Sequence, residues 1–127
     1  MRLLLDTCVL LWWFEDHPAL APQACAAIAE RANDVYVSSV SAVEIAVKSS
    51  LGKLKIPADP QEQVAADGFT LLPLTFQHGM QLQTLPWHHR DPFDRMLIAQ
   101  AQVENLTIVT ADRIFADYEV PTLSARA

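Results

Sequence analysis

The chain is short of positive charge. Nine Lys and Arg stand against fifteen Asp and Glu, for a formal net charge of −6. A protein that held nucleic acid by neutralising phosphates with its own side chains would show the opposite balance. The deficit still leaves room for phosphate chemistry through a bound cation, and an acidic surface attracts a basic partner segment. Long apolar runs are also missing. The longest N-terminal stretch, Leu3 to Phe14, is broken by Asp6, far short of the roughly 20 residues a membrane span needs. Only Arg2 precedes it and no small-residue cleavage site comes after it, so neither a span nor a signal peptide is expected. Cysteine is scarce. Cys8 and Cys25 both fall in apolar helical patterns, which predicts two buried thiols in a reducing, cytoplasmic compartment rather than a disulfide. There are no repeats, no low-complexity linker and no lysine after Lys55. What remains is 127 residues, 51% of them apolar, which excludes a disordered chain and predicts a single domain over 1–127 with its own core.

Short apolar runs alternate with helical patterns along the sequence. Leu3-Leu4-Leu5, Val35-Tyr36-Val37-Ser38, Phe69 to Leu74 and Thr107-Ile108-Val109-Thr110 read as strands, with a fifth at Val120 to Leu123 on the edge. Helices are predicted over Thr7–Phe14, Pro22–Ala32, Ser41–Leu51 (closed by Gly52), from Asp59-Pro60 to Gly68, Phe76–Gln83 and Pro92–Glu104 (closed by Asn105), with one further turn over Asp112–Ala116. Strands that are apolar on both faces and alternate with helices predict an α/β fold: a three-layer αβα sandwich around a parallel sheet of four to five strands. In such sheets functional groups gather beyond the carboxyl ends of the strands.

Four acids occupy that edge. Asp6 directly follows the first strand, Asp112 follows the fourth, and Glu44 and Asp94 are expected in the first turns of helices that begin there. Each has a purely structural reading. Ser41-Ala42-Val43-Glu44 has the form of a capping box, Asp91-Pro92-Phe93-Asp94 places a cap, a proline and an acid at a helix start, and Asp6 and Asp112 could each cap the next helical turn. Asp59-Pro60-Gln61-Glu62 has the same form with no chemistry assigned to it. Taken singly, each acid reads as a cap. Taken together they read differently, because Asp6 and Glu44 sit among apolar neighbours where unpaired charge is costly. Four carboxylates converging on one edge repel one another unless cations lie between them. Mg²⁺, or Mn²⁺, suits such hard oxygen donors and keeps several waters, so a few carboxylates suffice.

These residues resemble the PIN-domain family, and within it the VapC-like ribonuclease toxins of type II toxin–antitoxin systems. The resemblance runs through Leu4-Leu5-Asp6-Thr7, Ser41-Ala42-Val43-Glu44-Ile45 and Val109-Thr110-Ala111-Asp112. It is most specific in His89-Arg90-Asp91-Pro92-Phe93-Asp94-Arg95-Met96-Leu97-Ile98-Ala99-Gln100-Ala101. It implies an Mg²⁺-dependent endoribonuclease with Asp6, Glu44, Asp94 and Asp112 as the catalytic metal site, Thr110 supporting it, an RNA substrate, a homodimer and a cognate antitoxin. Arg95 is expected to neutralise nearby carboxylates. Lys48 is read either as an ion-pair partner of Glu44 or, with Arg90 and Arg113, as a phosphate contact. His88 and His89 could be metal ligands or acid–base groups, but their loop beside Pro86 favours hydrogen bonding there, and Asp91 is expected to cap a helix rather than act as a fifth ligand. Of Trp12, Trp13 and Trp87, which could stack bases, the adjacent Trp12 and Trp13 cannot both face one core, so one is expected at a partner surface. Two rivals remain: a receiver-type Mg²⁺-binding phosphoacceptor domain, which the missing late lysine disfavours, and a non-catalytic binding module whose acids are only caps.

Overall fold

The structure is a computed structural model that describes residues 1–54, 56 and 59–127. Five strands, β1 (Arg2–Leu5), β2 (Asp34–Ser38), β3 (Thr70–Leu72), β4 (Thr107–Thr110) and β5 (Thr122–Ser124), form one all-parallel sheet in the order β3-β2-β1-β4-β5. The helices are α1 (Thr7–Glu15), α2 (Pro22–Ala29), α3 (Ser39–Ser50), α4 (Pro60–Ala66), α5 (Phe76–Gln81) and α6 (Pro92–Glu104).

The central strand explains the architecture. Leu3, Leu4 and Leu5 are all fully buried, because successive side chains point to opposite faces and both faces are covered. Leu3 and Leu5 join Val35, Val37 and Val109 in a core beneath α1, α2 and α4, while Leu4 joins Ile108, Leu97, Ile98 and Phe115 in a second core beneath α6. The sheet is thus the middle layer of an αβα sandwich of the expected kind.

The chain builds outward from β1 to β2 and β3, then returns to lay β4 against the other side of β1. The junction of β1 and β4 is therefore the point where the winding reverses, and such a point leaves a crevice at the carboxyl ends of the strands. Leu5 pairs with Val109 there, and the Asp6 N–H donates to Val109 O at 3.1 Å.

Several expected boundaries moved. The helix read as Ser41–Leu51 starts at Ser39, because Ser38 is its cap and its hydroxyl accepts the Val40 N–H. The Ser41–Glu44 capping box is therefore not formed, and Glu44 lies in the second turn. Buried Ser41 instead bonds the Thr7 hydroxyl at 2.9 Å. The strand read as Phe69–Leu74 is only Thr70–Leu72, and α2 stops at Ala29. The last residues of the predicted Phe76–Gln83 helix wind as a tight 3₁₀ turn over Leu82–Thr84, and Arg113–Asp117 do the same after β4. Among the described residues no helix is long and apolar enough to cross a membrane. Both cysteines are free, but neither is fully buried. Cys8 is exposed, a correction that follows from its place on the α1 face turned to the crevice.

Candidate metal centre

Asp6 ends β1 and starts α1. Its backbone is extended, and Oδ1 accepts the Val9 N–H at 2.7 Å, so it is a true helix cap. Oδ2 is turned the other way and accepts from the Thr110 hydroxyl at 2.6 Å. The same hydroxyl accepts the Asp112 N–H at 3.0 Å, so one threonine fixes the chain at both acids. Asp112 caps the turn after β4 through Ile114 N–H, and Asp91 caps α6 through the N–H groups of Phe93 and Asp94. The capping readings of Asp6, Asp91 and Asp112 are correct, and they coexist with a shared location. Asp6, Glu44, Asp94, Asp112 and Asp91 all line one cleft of about 580 Å³ at the reversal point of the sheet.

The electrostatics of the cleft follow from burial. Asp6 is 5% exposed. Burial is the main cause that pushes its carboxyl up to about 6; the bonds from Thr110 and Val9 pull it down, while Glu44 and Asp112 push it further up. Burial again leads in raising Asp94 to about 7, with the Asp91, Asp6 and Glu44 charges adding and His89 opposing. Glu44 is buried. Its Oε2 pairs with Lys48 one turn on, so the ion pair on the helix is formed, and this contact raises the Lys48 ammonium. Its Oε1 is closed to solvent, yet no donor reaches it among the described residues. An enclosed acceptor without a donor, beside three further carboxylates, is a donor set that fits a hard divalent cation.

Other expectations are corrected. Arg95 does not neutralise the acids. Its guanidinium turns away under Trp87, 3.9 Å from the ring centroid, and donates to the carbonyls of Pro86, His89, Leu82 and Leu85 and to the Tyr118 hydroxyl. Arg90 lies in a separate groove with Trp87, and Arg113 does not line the cleft. Trp13 leaves the cleft, donating to Asp67 and packing on Phe69, whereas Trp12 lines it, stacked on His17 with Arg126 over the ring. Among the described residues, the cations at the cleft are Lys48, Lys53 and Arg126. His89, expected mainly to serve its loop, also faces two of the acids. Its Nε2 lies 2.9 Å from Asp94 Oδ2 and 3.3 Å from Asp112 Oδ2. Nothing in its spacing marks it, since the loop that delivers it is shaped by distant Arg95 and Tyr118.

No curated protein matches the chain. Among solved structures it is similar to VapBC2 from Rickettsia felis bound to a promoter DNA fragment (TM-score 0.72, 16% identity, 98% of each chain covered). It is also similar to DNA-bound VapBC from Salmonella typhimurium (TM-score 0.67, 15% identity, 98% of each chain). A third is VapBC-5 from Mycobacterium tuberculosis, described as a member of the VapBC family of toxin–antitoxin systems (TM-score 0.56, 21% identity, 99% of this chain and 98% of that one). The PIN domain family model matches residues 3–121, almost the whole chain. The chain belongs to the PIN-domain family.

Proposed function

We propose that the protein is a divalent-metal-dependent endoribonuclease, the VapC-like toxin of a toxin–antitoxin pair, acting in the cytoplasm and held in check by a cognate antitoxin. The observation that carries this is the acidic cleft: Asp6, Glu44, Asp94 and Asp112 share one crevice, two of them are pushed to near neutrality, and Glu44 Oε1 has no donor. Asp6 and Asp94 are assigned as direct ligands of Mg²⁺ or Mn²⁺, with Glu44 and Asp112 binding directly or through water. Bound there, such an ion lowers the pKa of a water and offsets charge on a phosphodiester. The residues of the chain supply the rest. Thr110 holds Asp6 and the Asp112 backbone in place, Lys48 pairs with Glu44, and Lys53 and Arg126 offer positive charge to flanking phosphates.

The antitoxin reading is supported by membership of the PIN family and by the likeness to VapBC structures. Two exposed apolar groups suit a partner and a second copy of this chain. One is Val43, Val47 and Leu51 along α3; the other is Leu71, Leu74, Phe76 and Met80 around α5. The test is incubation with a panel of structured RNAs in Mg²⁺ and in EDTA, for wild type and Asp94→Asn. Cleavage only by wild type with Mg²⁺ is expected. Equal cleavage by Asp94→Asn, or in EDTA, would reject the proposal.

A further inference from the structure

Trp87 is 77% exposed, and among the described residues no other exposed large apolar side chain lines the groove of about 380 Å³ in which it stands. It is a lone indole rather than part of an apolar patch wide enough for a partner protein. Its position is nonetheless fixed. One ring face lies over the Arg95 guanidinium, 3.9 Å from its carbon to the ring centroid. Arg95 is itself buried and bound to carbonyls of the same loop. The Pro86 carbonyl, which directly precedes Trp87, accepts from Arg95 at 2.8 Å and from the Tyr118 hydroxyl at 2.9 Å. A ring held in this way has little freedom to lose when a ligand stacks on it.

The charge around the ring narrows the ligand. The chain as a whole is acidic, yet this groove has two arginines, Arg90 and Arg95, and no acid among its described lining. Arg95 donates to carbonyls and a hydroxyl, which leave its charge uncancelled. Arg90 is exposed and has no ion pair among the described residues. A cation beneath one face of an indole disfavours a second cation on the other, so a basic peptide is a poor occupant. A flat, electron-rich ring joined to an anion suits both the open face and Arg90. A nucleobase with its phosphate is such a ligand.

The groove adjoins the acidic cleft. Trp87 stands four positions before Asp91, which lines that cleft, so their Cα atoms are at most roughly 15 Å apart. Pro92, Arg95 and Met96 wall the groove, while Asp94 of the same helix lines the cleft. A strand with one phosphate at the acids has a nearby nucleotide within reach of the indole.

We propose that Trp87 and Arg90 form a subsite for unpaired RNA, in which the open face of the indole stacks one base and Arg90 meets the adjoining phosphate. This rests on the endoribonuclease reading above and adds to it a preference for single-stranded substrate. A base held in a duplex cannot lie flat on the ring, so the subsite selects strands that are unpaired beside the cleavage point.

The test measures binding apart from cleavage. Fluorescence anisotropy of a labelled, unstructured RNA oligonucleotide and of an RNA duplex of equal length is followed in EDTA at low salt. The proteins are wild type, Trp87→Ala, Trp87→Phe and Arg90→Gln, each checked by circular dichroism and sedimentation velocity. Trp87 belongs to neither core, so the variants should fold. Trp87→Ala should bind the single strand about fivefold or more weakly, Trp87→Phe should lie within about threefold of wild type, and duplex binding should not change. Arg90→Gln should lower the slope of log affinity against log salt by about 0.7, the value for one phosphate on a single strand. Wild-type affinity for the single strand in Trp87→Ala would overturn the inference, as would an equal loss for the duplex. A Trp87→Ala variant that lost only self-association would assign the ring to a second copy of the chain and overturn it too. RNA cleavage by wild type that bound no single strand would overturn this inference alone. Binding that depends on Trp87, with no cleavage of any RNA in Mg²⁺, would uphold the subsite and reject the nuclease reading.

Discussion

The Thr110 hydroxyl donates to Asp6 Oδ2 at 2.6 Å, joining residues 104 positions apart in the chain. The contact exists because β1 and β4 are neighbours, so the ends of two distant strands come level. It orients a carboxylate that burial would otherwise leave costly. Thr110→Val keeps the shape and removes the hydroxyl, leaving both Asp6 Oδ2 and the Asp112 N–H without their partner. A loss of about 1–3 kcal/mol is expected in urea denaturation near neutral pH, largely restored in Thr110→Ser. A Val variant as stable as wild type would show that the bond contributes nothing to the fold.

The raised carboxyls make a prediction about pH. Asp6 near 6 and Asp94 near 7 both lie above their ordinary value of 3.8. The folded chain therefore binds more protons than the unfolded one between about pH 4 and pH 7, and stability falls as pH rises across that window. Melting temperatures of the metal-free protein should drop from about pH 5 to pH 7 and then level off. Asp94→Asn should flatten the upper part of the drop. A melting temperature that rose with pH over this range in EDTA would contradict the geometry of the cleft.

How much of this could be read from the chain varies with the kind of interaction. The layers and strands were legible because Leu3-Leu4-Leu5 and Thr107–Thr110 are apolar without alternation, and Asp91-Pro92 and Asn105 mark both ends of α6. Local capping misled once: Ser41 and Glu44 have the right spacing, but Ser38 lies at the true turn from β2 into α3 and takes the cap. The role of Arg95 was not legible, and His89 was read mainly as a loop residue. Arg95 sits beside Asp94 in sequence yet points away from the acids, and it is drawn to a cluster of carbonyls that only the folded 82–89 loop creates. His89 reaches the acids because that loop is held there. Side chains whose partners are backbone atoms of a distant loop leave no pattern along the sequence.

Arg95 supports a prediction of its own. It is buried, with five hydrogen-bond acceptors shared between its two terminal nitrogens. Arg95→Ala strands several enclosed carbonyls and should cost about 3 kcal/mol. Arg95→Lys keeps the charge but cannot span the fork, so it should lose nearly as much. Both should also weaken Mg²⁺ binding, because the loop they release leads into Asp91, which caps the helix start that carries Asp94. Urea midpoints and calorimetry read the two effects, and a lysine variant with wild-type values in both would refute them.

Removing one acid should separate chemistry from folding. Asp6→Asn keeps an oxygen for the Val9 cap and deletes one of the mutually repelling charges. Its melting temperature in EDTA near neutral pH should equal or exceed that of wild type. The same substitution removes a proposed ligand, so adding Mg²⁺ should no longer raise the melting point, and RNA cleavage should be lost. A variant that gains as much stability from Mg²⁺ as wild type would take Asp6 out of the metal centre.

Phe76 gives the prediction about assembly. Its side chain is 86% exposed at the start of α5, and Met80 lies one turn on along the same helix. A large aromatic ring so open to water, next to edge strand β3 with exposed Leu71, is a surface that a second copy of the chain would cover. Sedimentation velocity should find the wild type as a dimer and Phe76→Asp/Met80→Asp as a monomer with an unchanged melting temperature, since neither side chain belongs to either core. A dimer that survives both substitutions would move the shared surface elsewhere, with the Val43, Val47 and Leu51 stripe of α3 the next to be tested in the same way.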